Sequence, residues 1–372
     1  MNLIKKFLQQ DAVLNLALLA VLISAFWIHP SLNYYHYINF NVLFLLFCLM
    51  SVVAGLHNLG CFYFLGVKLL HRVKNSKLLS LILVYLCFFS SMLITNDVAL
   101  LTFVPFTISL LKMINQENLM IRLIVLETIA ANLGSMLTPW GNPQNLYLYS
   151  LTDLTVMQFI VYLLPLTAVS LFLLTALILS SANLKVQLNA EFFSSYQISL
   201  DKRKLFLYIF LFLLSLLSVA RLIPSLVTLI IVALLIGLYD RKILQQVDYL
   251  LLLTFFFFFI FTGNIKQIPQ VNAWLSELIG GNECLTGVVI SQLISNVPAA
   301  MLLSGFTASY QELIYGVNIG GLGTMIASMA SLISYRCYIK AESSKKGKYI
   351  LLFTVYNTAF LLVLLLTYYC CL

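Results

Sequence analysis

The chain has 372 residues and a formal net charge of +8, yet only 9% of its residues are charged and 62% are hydrophobic, with a mean hydropathy of +0.99. A soluble domain carries roughly 25% charged residues, so a water-soluble globule is excluded and a lipid bilayer is the solvent that fits. No basic patch is interleaved with exposed aromatics, so the basic excess marks cytoplasmic loops and no nucleic-acid partner is expected.

Lys5 and Lys6 precede an apolar stretch from Val13 to Ile28. No small-residue cleavage site follows it, so it reads as an uncleaved first span rather than a signal peptide. Further apolar segments lie near 39–55, 57–71, 78–94, 97–113, 120–138, 155–182, 205–220, 224–239, 248–263, 284–294, 297–310, 313–333 and 349–370. Their lengths suit helices in a hydrocarbon core of about 30 Å, and the alternation of a β-barrel is missing. The longest polar connection, 183–204, reads as a cytoplasmic linker between a first repeat, 1–182, and a second, 205–372.

Basic residues then orient the chain. With the N-terminus cytoplasmic, and with 78–94/97–113 and 284–294/297–310 as re-entrant hairpins, all of the 21 Lys and Arg except Arg221 and Lys266 fall on the cytoplasmic side, as the positive-inside rule favours. The C-terminus is then outside, and the hairpins enter a cell membrane from opposite sides, as in inverted-topology repeats. The expected fold is an all-α polytopic membrane protein of two inverted repeats. Each has a re-entrant helical hairpin (about 78–113 and 284–310) and a broken transmembrane helix (about 120–150 and 313–333).

Polar residues interrupt these segments at four places. Ser91-Met-Leu-Ile-Thr95-Asn96-Asp97 and Ser291-Gln-Leu-Ile-Ser295-Asn296-Val297 match each other, and a hydroxyl followed by Asn is a helix N-cap signal. Caps at bilayer depth would leave helix N-termini inside the membrane, able to hold an anion; the plainer reading is a surface loop. The third, Asn132-Leu-Gly134-Ser135-Met-Leu-Thr138-Pro139-Trp140-Gly141-Asn142-Pro143-Gln144-Asn145, has too many breakers for a continuous helix, and unwound carbonyls with amides suit a coupling ion such as Na⁺. The fourth runs from Asn318 to Leu332. Aligned without gaps, Asn132, Gly134 and Thr138 fall on Asn318, Gly320 and Thr324, while Asn142 and Asn145 fall on Ser328 and Ser331.

Acids at membrane depth are expensive, and only Asp97 and Glu127 sit there. Asp97 reads equally as a helix cap or as a ligand of a cation or proton; Glu127 reads as a structural hydrogen-bonding group or a proton relay. The candidate substrate-binding residues are Thr95, Asn96, Asn142, Ser295, Asn296 and Ser328, and the candidate coupling-ion or proton residues are Asp97, Gly141, Asn145 and Glu127. Seven Cys without a C-x-x-C give no disulfide framework or metal site. The four His stand away from the breaks, no H-E-x-x-H occurs and Asp97 has no second buried Asp, so no enzyme and no resident cofactor is expected.

The strings T-N-D-V-A-L-L-T-F-V-P-F at 95–106, N-L-G-S-M-L-T-P-W-G-N-P-Q-N-L at 132–146 and S-Q-L-I-S-N-V-P-A-A at 291–300 resemble the ion-transporter superfamily, specifically its citrate-transporter-like anion permeases, related to the divalent-anion/sodium symporters and arsenite permeases. The resemblance implies a homodimer in the bilayer, a small-molecule anion held between two hairpin tips, and elevator-like exposure of that site. It also implies that Thr95-Asn96-Asp97 and Ser295-Asn296-Val297 stand where the symporters carry Ser-Asn-Thr motifs for substrate and Na⁺. Asp97 in place of Thr tilts coupling toward a proton or a single cation. A cation/proton antiporter or an arsenite-type efflux permease is the alternative within the same fold.

Overall fold

The computed structural model describes residues 12–70, 73–186, 201–341 and 345–371. Lys5, Lys6, Arg72 and most of the expected linker lie outside them. The first half comprises α1 (Ala12–Trp27), a single turn α2 (Tyr34–Tyr37), α3 (Phe40–Asn58), α4 (Cys61–Leu70), the hairpin α5 (Ser76–Ile94) and α6 (Asn96–Met113), the interrupted pair α7 (Met120–Ser135) and α8 (Pro143–Leu151), and α9 (Val156–Leu179). The second half comprises α10 (Lys202–Val219), α11 (Ser225–Tyr239), α12 (Tyr249–Lys266), α13 (Pro269–Ile279), the hairpin α14 (Glu283–Ile294) and α15 (Asn296–Leu303), the interrupted pair α16 (Tyr310–Ile319) and α17 (Met329–Ala341), and α18 (Lys346–Cys371).

Six described helices, α3, α5, α6, α9, α12 and α18, are long and apolar enough to cross a membrane. Their outer faces expose Phe172, Leu351 and Leu366, and α10 and α11 add Phe206 and Leu234, surface that only lipid solvates well. The protein is an all-α polytopic membrane protein. Buried side chains fall into two groups. A large core surrounds α7, in which every residue but Arg122 is buried. A smaller one, with Cys48, Val52, Tyr208, Leu211, Val232 and Ile236, joins α3 to α10 and α11.

Hydrogen bonds between helix ends sort the bundle into two faces. On one, Lys77 donates to Leu179 O (2.6 Å), Arg122 to Leu177 O (2.6 Å) and Lys112 to Ala341 O (3.1 Å). The outer ends of α5 and α6 therefore lie on the same face, with the start of α7 and the ends of α9 and α17. On the other face, Thr307 donates to Glu283 Oε1 (2.9 Å) across the outer ends of α14 and α15, and Arg221 donates to the carbonyls of Tyr149 and Thr152 at the end of α8. Helix α9 runs between the two faces, its last residues bonded to Lys77 and Arg122 and Tyr162 near its start donating to Glu312 on α16 (3.3 Å), so the two hairpins open toward opposite ends of α9.

Two elements escape a search for apolar runs. The turn α2 lies across the end of α12, where a side chain at Gly263 would collide with the Tyr37 ring. Helix α13 begins at Pro269, a favoured first helical position; it is too polar to read as a span, and most of its residues are exposed or half-buried, Trp274 and Leu278 among the exposed.

Candidate functional site

Each hairpin turns on one residue. Thr95 (φ 84°, ψ 148°) and Ser295 (φ 76°, ψ 153°) hold almost the same left-handed conformation, in a region close to that reserved for glycine. This corrects the expected hydroxyl caps. Both residues stand at the N-cap position, but neither side chain makes a capping bond; at these angles the backbone, not the hydroxyl, completes the turn. The Thr95 and Ser295 carbonyls accept from Ala99 N (3.1 Å) and Ala299 N (3.0 Å), and Ser295 Oγ instead donates to Ala327 O (3.4 Å).

Each tip is hydrogen-bonded into a helix break, by the same bonds. Asn96 N donates to Gly141 O (3.2 Å), and Asn296 N donates to Ala327 O (2.9 Å). Gly141 N and Ala327 N donate to Thr138 O and Thr324 O, both at 3.2 Å. Thr138 Oγ1 donates to Met92 O (2.7 Å), and Thr324 Oγ1 to Gln292 O (3.2 Å). Gly134 and Gly320 make room for this docking: a side chain at the first would strike the Phe88 carbonyl and Ser91 hydroxyl, and at the second the Ser291 side chain.

The first break follows from its sequence. Pro139 and Pro143 lack the N–H that would continue α7, and α8 restarts with Pro143 at its first position and Asn142 as its cap, Oδ1 accepting from Asn145 N at 2.9 Å. The second break passes through Gly320, Gly321, Leu322 and Gly323, the last at φ +97°.

The two breaks are cross-linked by buried amides. Asn96 Nδ2 and Ser328 Oγ both donate to Asn132 Oδ1 at 3.0 Å. Asn142 Nδ2 donates to Asn318 Oδ1 (3.3 Å) and to Ser135 Oγ (3.3 Å), and Asn318 Nδ2 donates to Asn145 Oδ1 (2.7 Å). Asn145 Nδ2 also donates to Met136 O (3.0 Å) and Thr138 O (3.3 Å), so these unwound carbonyls are held by protein. The result is a cage of Asn and Ser side chains, each no more than 5% exposed.

Of the ten expected site residues, Asn96, Asn142, Asn145 and Ser328 lie in the cage by their side chains. Gly141 joins by its carbonyl, and Thr95, Ser295 and Asn296 form the tips around it, with Asn296 Nδ2 against Gly321. Asp97 stands in the first turn of α6, half-buried, its Oδ1 without a hydrogen-bond partner. Glu127 is elsewhere: it is fully buried five residues before Asn132, about 7.5 Å along α7, and accepts from Thr107 on α6. Asn132 and Asn318, the central pair, were not among the expected site residues, although the alignment had paired them. Gln292 was also missed: its side chain bonds Gly320 O, Leu322 O and Thr324 N at 2.9–3.0 Å. Its signal is the one amide side chain in the arm α14.

A cavity of about 590 Å³ opens on the face that carries Lys266, lined among others by Tyr37, Asn41, Tyr147, Lys266 and Ser304. Tyr147 OH and Ser304 Oγ share a hydrogen bond of 2.8 Å. Tyr147 lies about 7.5 Å along α8 from Asn142.

Broken helices that meet around buried polar groups at the centre of an apolar bundle are the architecture of membrane transporters. The comparisons agree: residues 9–314 match the family model for citrate transporters, and the chain belongs to that family. It is 32% identical over 332 residues to an uncharacterized transporter of Methanocaldococcus jannaschii, covering 89% of each chain. It is 32% identical over 302 residues to the inner membrane protein YbiR of Escherichia coli, covering 80% of each. A silicon efflux transporter of Oryza sativa subsp. japonica is 32% identical over 148 residues, 39% of this chain and 30% of that one. The protein is thus a multi-pass membrane transporter of the citrate-transporter, anion-permease type.

Proposed function

We propose that the chain is a secondary active transporter that moves a small anion, a carboxylate or inorganic oxyanion, across the cell membrane, coupled to Na⁺ or H⁺. The observation that carries this reading is the cage: two helix breaks and two hairpin tips, drawn from both halves of the chain, close on one set of buried amides and hydroxyls. Donors and helix N-termini gathered there suit oxygen atoms of an anion, and among the described residues no Lys or Arg side chain bonds into the cage. In this reading the halves are inverted repeats. The face of Lys77, Lys112 and Arg122 is cytoplasmic, and the face of Arg221 and Lys266 is outside.

An elevator-like movement is the mechanism we infer. The hairpins and broken helices share the larger core, and α10 and α11 pack on α3 through the smaller one, so the first can slide as a block against the second. The chain acts as a homodimer, α10 and α11 supplying exposed apolar surface for it. The efflux alternative draws support from the rice silicon efflux relative; in that case the solute moves outward through the same cage.

Thermal stabilisation of the purified protein tests the reading, since a ligand that binds the folded state raises the melting temperature by mass action. Citrate, succinate, sulfate, phosphate and arsenite are screened with and without Na⁺ at two pH values. A shift with an anion that depends on Na⁺ or on pH is the expected result. Shifts with Na⁺ or pH alone would favour a cation/proton antiporter.

A further inference from the structure

The cage has two matching halves, and they are not equally filled. In one, Asn318 uses its whole amide: Oδ1 accepts from Asn142, and Nδ2 donates to Asn145 Oδ1 (2.7 Å) and Ile314 O (2.8 Å). In the other, Asn132 Oδ1 accepts from Asn96 and Ser328, but Nδ2 reaches only Gly321 O at 3.5 Å, the limit of a hydrogen bond.

The cause is one change of partner. In the first break Asn145 holds the carbonyls of Met136 and Thr138. In the second, the carbonyl that matches Met136, that of Leu322, is held by Gln292 from the hairpin (3.0 Å). The residue that matches Asn145 is Ser331. It is completely buried, and its hydroxyl has no hydrogen-bond partner. It lies in the first turn of α17, one turn after Ser328. By its match to Asn145, which bonds Asn318, this hydroxyl falls on the side of the spare Asn132 N–H, and it lies at the N-terminus of α17.

Resting on the anion-transport reading above, we propose that the anion is taken in this half of the cage: an oxygen of the carboxylate or oxyanion accepts from the Ser331 hydroxyl and the Asn132 amide. The Asn145–Asn318 half is its structural counterpart, closed by its own amides. This assigns the recognition step to Ser331 and Asn132, and gives Gln292 the role of a positioning residue that frees Ser331.

Two variants of the full-length protein test it, with citrate, sulfate and phosphate as probes in the melting assay. Ser331→Asn supplies the amide that Asn145 supplies opposite. It is expected to melt at or above the wild-type temperature without anion and to lose the anion-induced shift. Ser331→Ala is expected to melt at or slightly above the wild-type temperature and to bind at least about tenfold more weakly, the loss of one charge-assisted hydrogen bond. The mirror change Asn145→Ser is expected to lower the melting temperature measured without anion, because it strands the carbonyls of Met136 and Thr138. Wild-type affinity in both Ser331 variants overturns the inference alone, as does a Ser331→Asn protein that melts as low as Asn145→Ser. A wild-type protein that responds to none of the anions overturns the anion reading itself, and the inference with it.

Discussion

The two hairpins reach the same cage on very different arms. Helices α5 and α6 have 19 and 18 residues, about 28 and 27 Å, long enough by length alone to cross a bilayer. Helices α14 and α15 have 12 and 8, about 18 and 12 Å, too short to do so. Yet the turns at Thr95 and Ser295 agree within 8° in φ and 5° in ψ, and each hairpin docks through the same two hydrogen bonds to its own break. Arm length sets where a hairpin opens. The tip and the break together set the site, and there the halves differ, among other places, at Asp97 against Val297, Met92 against Gln292 and Asn145 against Ser331.

The largest effect is expected where the halves are alike. Asn96→Ala and Asn296→Ala should each abolish transport while the protein still inserts, because each tip Asn reaches the broken helices: Asn96 bonds Asn132, and Asn296 lies against Gly321. Uptake assays in proteoliposomes, with membrane insertion checked separately, decide this. Normal uptake in both variants would remove the two-tip site.

Next in size is Gln292→Met, which gives the second hairpin the residue of the first. It strands the carbonyls of Gly320 and Leu322 and the amide of Thr324, all held by Gln292. At about 1–3 kcal/mol for each of the two buried carbonyls left unpaired, with Thr324 exposed to water, the loss should be a few kcal/mol. Met92→Gln should cost about 1 kcal/mol or less, because Asn145 already serves the first break. Equal melting temperatures for the two variants would mean that the second break does not depend on its hairpin.

Thr95→Gly and Ser295→Gly probe the strain at the turns. Relief from a conformation close to glycine's own is worth about 1–3 kcal/mol, partly offset by the extra freedom glycine has when unfolded. A net gain of about 1 kcal/mol is expected, larger at Thr95 because its side chain is β-branched. Melting curves check it; a loss at both positions would mean that the hydroxyls do more for stability than the strain takes away.

The comparison also shows what a sequence of this kind discloses. Hydroxyls and amides inside apolar runs stand out, so the tips, both breaks and the register that pairs Asn132 with Asn318 and Asn142 with Ser328 could be read directly. The partners across the cage could not. Asn142 to Asn318 and Ser328 to Asn132 are contacts about 180 to 200 residues apart in the chain, fixed by how the halves pack and not by any local pattern. The same holds for Gln292, whose side chain looks misplaced until the carbonyls of Gly320 and Leu322 are seen beside it. The backbone at Thr95 and Ser295 was hidden for a different reason: Thr and Ser before Asn advertise a side-chain cap, and the left-handed turn overrides that preference.

The smallest effect on folding, and the sharpest on mechanism, is expected at Asp97. It occupies the first turn of α6, where a carboxylate is stabilised by the helix N-terminus by about 0.3–1 kcal/mol, and its Oδ1 has no partner. Its counterpart Val297 is buried on a helix with no acid in its first turn. If Asp97 only caps α6, Asp97→Asn should lower the melting temperature slightly and leave the Na⁺ and pH dependence of uptake untouched. If it holds the coupling ion, the melting temperature should change as little while that dependence flattens. We expect the second outcome. The second tip manages the same turn without a carboxylate, so the turn does not require one, and a charge at membrane depth is too costly to be kept for a few tenths of a kcal/mol.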